Sequence, residues 1–176
     1  MLLPLGILAS AGGAASDYEL IATSFGTGSS GTVTFSSIPA GYKHLQLRYS
    51  ALVSSGNPYI GIRLNGDSGS SYAYHTLYRN GATVNAGGAS TQTSAIALGF
   101  ISGLSSSNVT SGITDIVDAF ATTKYKTLKT HNGNVNEIVF ASGLWQNSSA
   151  VTSVTAFISA GNFTTTSRFS LYGIKG

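Results

Sequence analysis

The stretch from Ile38 to Asp67, IPAGYKHLQLRYSALVSSGNPYIGIRLNGD, constrains this chain most, because it reads as two strands with one buried and one wet face. In the first, Leu45, Leu47, Tyr49 and Ala51 interleave with His44, Gln46, Arg48 and Ser50, the two-residue period of a half-buried strand. In the second, Ile60, Ile62 and Leu64 oppose Tyr59, Gly61 and Arg63. Pro58 opens that strand, and Asn65-Gly66-Asp67 closes it with residues that tolerate positive φ.

Turn-forming Gly, Asn and Ser clusters divide the rest of the chain into similar lengths. Strands are expected at 18–25, 31–36, 43–52, 59–65, 92–101, 112–120, 125–130, 135–142, 150–159 and 168–174. Ser71 to Tyr78 (SYAYHTLY) stays open between strand and turn, since its aromatics alternate but its length also suits a short helix. Gly81 to Thr93 and Ser102 to Ser111 are rich in small polar residues and read as exposed loops. Roughly ten short strands with regular turn signals, and no long helix among them, predict an all-β fold. The expected architecture is a β-sandwich or jelly roll, not a βαβ arrangement. No period of about 20 to 50 residues recurs, which argues against a solenoid or propeller.

The 176 residues suit one domain. Charged residues are only 9% of the chain, against about 25% in ordinary soluble proteins. The surface must therefore be coated with hydroxyls and amides, as in all-β proteins that live outside cells or within assemblies. Nine Lys and Arg are spread thinly, with Lys124, Lys126 and Lys129 the one cluster, too weak a footprint for nucleic acid. No window reaches the roughly 18 apolar residues of a membrane span. With no Cys, disulfides, thiolate metal sites and Cys catalysis are all excluded.

Residues 1–16, MLLPLGILASAGGAAS, resemble a secretory leader but lack its positive n-region. They are expected to form an extended N-terminal docking arm ahead of a β-sandwich domain at 17–176. Leu2, Leu3, Leu5, Ile7 and Leu8 would be its partner-binding residues, and Gly12-Gly13 its hinge.

No constellation of catalytic residues emerges. Gly66-Asp67-Ser68-Gly69 echoes the surroundings of a serine-protease nucleophile, but no Asp lies between His44 and Asp67 to orient a base. A hairpin turn is the better reading. His44, His75 and His131 sit in separate segments without metal-ligand spacing. Asp115 and Asp118, three apart on a strand, point to opposite faces. Asn65 and Asp67 offer too few oxygens for Ca²⁺. Three Asn-x-Ser/Thr sites, at Asn108, Asn147 and Asn162, are what chance supplies in such a composition. No metal or cofactor site is therefore expected, and the chain is not expected to be an enzyme. Trp145 with Tyr72, Tyr74 and Tyr78 could form a stacking platform for a sugar ring, set against the plainer role of core aromatics.

Several landmarks together resemble small structural proteins of tailed bacteriophages. They are Tyr18-Glu19-Leu20-Ile21, Ile38-Pro39, Tyr42 to Arg48, Leu64-Asn65-Gly66-Asp67, Lys124-Tyr125-Lys126-Thr127 and the closing Phe169 to Lys175. The resemblance spans nearly all of the chain after residue 17. It implies a jelly-roll-like virion component without enzymatic residues. The expected role is a decoration or cement protein on the outer surface of the phage head, self-associating as a homotrimer and bound to the major capsid protein. Neither nucleic acid nor membrane is an expected partner. The alternative is a tail fibre or appendage module that binds host-surface glycan through Tyr72, Tyr74, Tyr78 and Trp145.

Overall fold

The computed structural model describes residues 17–56, 58–92, 96–97 and 107–176. These contain the strands β1 (Tyr18–Phe25), β2 (Thr32–Phe35), β3 (His44–Ala51), β4 (Ile60–Leu64), β5 (Tyr72–Asn80) and β6 (Thr83–Gln92). They continue with β7 (Ile96–Ala97), β8 (Thr110–Val117), β9 (Lys126–Gly133), β10 (Glu137–Trp145), β11 (Val154–Ile158) and β12 (Arg168–Ile174). All pairings are antiparallel. A large sheet runs β1-β12-β3-β8-β9-β10-β5-β6, and a small one runs β2-β11-β4 with the two-residue β7 at its edge.

The order contains a jelly roll. Taking β1, β2, β3, β4, β7, β8, β11 and β12 as its eight successive strands, one sheet is β1-β12-β3-β8 and the other β2-β11-β4-β7, the two-Greek-key connectivity of that fold. The β5-β6 and β9-β10 segments are insertions that continue the first sheet past β8 as a four-stranded extension.

The predicted alternation explains the packing. Leu45, Leu47, Tyr49 and Ala51 of β3 turn inward onto Ile60, Ile62 and Leu64 of β4, and all seven are buried in one cluster with Phe169, Leu171, Val154 and Ala156. Each fully buried Leu or Ile contributes about 1.5–3 kcal/mol by leaving water. Glycine is required where Tyr49 crosses the sheet: a Cβ on Gly112 would stand 2.5 Å from the Tyr49 ring and 2.7 Å from the Asn132 Cβ.

Two expectations change. Gly81 to Thr93 was expected as a loop, but Thr83–Gln92 forms β6, paired to β5, while Thr93 lies outside the described residues. Likewise Thr110 and Ser111, read as loop, begin β8. The Asn65-Gly66 turn has the expected positive φ at both residues, 53° and 67°, closed by the Asp67 N–H donating to the Leu64 carbonyl at 3.0 Å. Yet β4 and β5 do not pair, so the turn carries the chain from the small sheet to the large one instead of closing a hairpin. Ser71 to Tyr78, left open, lies largely within β5.

Candidate functional site

The inward face of the extension is anchored at one end by a cross-strand row. Lys126, Trp145 and Tyr72 lie side by side on β9, β10 and β5, all fully buried. Lys126 Nζ donates to the carbonyls of Ala121, Lys124 and Ser148 at 2.6, 3.0 and 3.1 Å. Its three donors are thus spent on loop backbone, and burial pushes its pKa down. Trp145 Nε1 donates to Asp67 Oδ2 at 2.7 Å, while Gly69 N–H donates to Oδ1 at 2.8 Å. The Trp145 hydrogen bond foremost holds the Asp67 carboxyl below the usual carboxylate range. Tyr72 stacks on Trp145 with ring centroids 6.4 Å apart, and its hydroxyl accepts from Leu64 N–H at 3.1 Å and donates to the Asp67 carbonyl at 3.1 Å. Burial lifts the Tyr72 hydroxyl to about 12.

Of the four aromatics weighed as a sugar platform, Tyr72 and Trp145 take the plainer role of core residues. Tyr72 and Trp145 are 0% and 1% exposed, their rings in the core because the turn at Asn65 folds over them; Tyr74 and Tyr78 are half-buried. Asn65 is equally committed. Its Oδ1 accepts from the N–H groups of Thr152 and Ser153 at 2.7 and 3.1 Å, and its Nδ2 donates to the Ala150 carbonyl at 2.8 Å.

The three histidines are spread out. His44 Nδ1 accepts from Asp118 N–H at 2.8 Å, where Asp118, at positive φ after β8, also pairs with Lys124. That hydrogen-bonded pairing holds the Asp118 carboxyl low. His75 and His131 lie on the outward face of the large sheet. Among the described residues no three His, Asp or Glu side chains gather closely enough to hold a metal ion. The arm residues Leu2, Leu3, Leu5, Ile7 and Leu8 lie outside the described residues.

The most distinctive surface is that outward face. Register aligns Arg48, Ile113, His131, Phe140, Leu77 and Ala86 in one row across β3, β8, β9, β10, β5 and β6. Ile113, Phe140 and Leu77 are 44%, 49% and 51% exposed. A shallow groove of about 750 Å³ runs along them, with Asp115, Lys129, Ser142 and His75 as its polar side. The His131 and Phe140 rings stack at 4.6 Å and 14°, so each covers one face of the other. At β3 and β8 the same face holds a polar network satisfied within itself. Arg48 Nε donates to Gln46 Oε1 at 2.6 Å, Gln46 Nε2 donates to Asp115 Oδ1 at 2.7 Å, and the Arg48 guanidinium lies 4.4 Å from the Tyr172 ring centroid.

Sequence reasoning missed this surface, although a signal existed. Ile138, Val139, Phe140 and Ala141 are apolar at both parities of β10, the pattern of a strand whose two faces are both covered. No protein-family model matches the sequence, and no curated protein matches it either.

Proposed function

We propose that this chain is a non-enzymatic structural protein of a tailed-phage virion, a cement protein that binds the outside of the head and stabilises it. The observation that carries this reading is the outward face of the large sheet, where Ile113, Phe140, Leu77 and Ile138 are exposed together on a rigid ladder. A contiguous apolar patch on a protein with few charges is a surface built to be covered. The jelly roll agrees with a capsid-associated role, as such domains are frequent in viral shells, though fold alone assigns no function. The mechanism is linkage: a protein that binds only the assembled shell stabilises it by its binding free energy. The apolar residues Leu2, Leu3, Leu5, Ile7 and Leu8 supply a second grip on the shell.

Heads lacking the protein, mixed with the full chain and imaged, test this. Saturable density at lattice symmetry positions is expected, together with loss of binding on deleting residues 1–16 while thermal unfolding stays unchanged. Absence from the head lattice, or density on the tail, overturns it.

A further inference from the structure

The two edges of the large sheet are built differently. An edge strand offers unpaired N–H and C=O groups to any passing strand, and charges, prolines and bulges are the devices that prevent this. β1 carries such guards: its register with β12 shifts between Leu20 and Ala22, and Glu19, paired to Lys175 at 3.0 Å, places ions on it. β6 carries none over its first seven residues. From Thr83 to Ala89 its register with β5 is unbroken, the shift coming only beyond, towards Gln92. Residues 81–92, GATVNAGGASTQ, contain no charge and no proline. Every side chain of the strand is exposed or half-exposed, and among the described residues nothing pairs with its outer side.

We propose that β6 is the edge by which two copies of this chain join, antiparallel β6 to β6, about a two-fold axis perpendicular to the sheet. A second copy is the occupant because the strand is self-complementary. Being uncharged, it sets no like charges opposite one another when paired with itself. Ala86, Gly87, Gly88 and Ala89 at its middle leave the backbones free to approach to the usual ~4.8 Å. Such an axis keeps both outward faces on one side of a continuous sheet. Val84, 67% exposed in the single chain, then lies against the small residues of its mate, and the two Leu77-Phe140 patches become one surface. The contact is isologous, the commonest symmetry of soluble oligomers.

The test needs no virion, so its failure is separate from failure of the cement reading. The full chain is weighed by sedimentation equilibrium alongside A86K and A86E, whose outward side chains leave the single-chain fold intact by thermal unfolding. A dimer is expected for the unaltered chain, with each variant alone at least about 100-fold weaker in self-association because like charges then face each other. Mixing the two variants restores a dimer. Hydrogen exchange on the unaltered chain adds a readout that needs no variant: protection of 83–89 that rises with protein concentration supports the contact. A monomer at every concentration, an oligomer indifferent to both charges, or fast exchange at 83–89 throughout overturns it.

Discussion

Inward from β3 and β12 point Leu45, Leu47, Phe169 and Leu171, fully buried against the small sheet, whereas inward from the extension buried apolar residues such as Leu128 and Val139 alternate with buried polar ones, Thr76, Thr130, Asn132 and Glu137. One ladder thus joins two differently filled halves. The jelly-roll half is held by apolar surface removed from water. The extension is held by strand hydrogen bonds, by pairs such as Thr114 with Thr130 at 2.9 Å, and by the Lys126-Trp145-Tyr72 row at its base. A buried polar face supplies less net stabilisation per side chain, since each hydrogen bond replaces one to water.

The largest expected effect falls on the row that ties the halves together. Trp145→Ala should destabilise by about 3–5 kcal/mol, because it removes a buried ring, its stack with Tyr72 and the bond to Asp67. Urea unfolding measures this, and a loss under about 1 kcal/mol would dissolve the distinction drawn here. Gly112→Ala should follow at about 1–3 kcal/mol, as the new methyl meets the Tyr49 ring at a site with no slack.

Trp145→Phe removes the Asp67 hydrogen bond while keeping a ring in place, with an expected loss of at least about 1.5–3 kcal/mol at neutral pH, since part of the buried indole goes with it. Asp67 has a folded-state pKa below its unfolded one. Its contribution is therefore complete above the unfolded value of about 4 and disappears as pH falls through the lower, folded one. Between neutral pH and acid the parent chain should lose more stability than the Phe variant, which keeps the Gly69 and Ser71 hydrogen bonds to Asp67, so the gap between their curves narrows at low pH; parallel curves would refute the assignment.

The smallest effect is expected outward. Ile113→Thr should change stability by no more than about 0.5 kcal/mol, since the residue is already wet and Thr keeps a strand-favouring shape. If head attachment weakens while unfolding is unmoved, the two faces of the large sheet are shown to do separate work.

Where one face was apolar and the other polar, the strands were legible in detail. Tyr18–Phe25 and Arg168–Ile174 were expected at the boundaries observed, and so were the inward residues of β3 and β4. β6 escaped because GATVNAGGASTQ is built almost wholly of small and polar residues, a composition that reads as loop whatever its backbone does. Trp145 and Tyr72 were equally ambiguous, since ring chemistry does not say whether a ring faces a ligand or a neighbouring strand.

By itself the sequence determined the all-β class, the alternation that makes a sandwich, and the positive-φ turn at Asn65-Gly66, because these depend on neighbours a few residues apart. Tertiary structure alone decided which sheet each strand joined, that four strands prolong one sheet of a jelly roll, and that Ile113, His131, Phe140 and Leu77 share a row. Those residues lie in separate strands of the chain, and only the long-range register of the ladder brings them together.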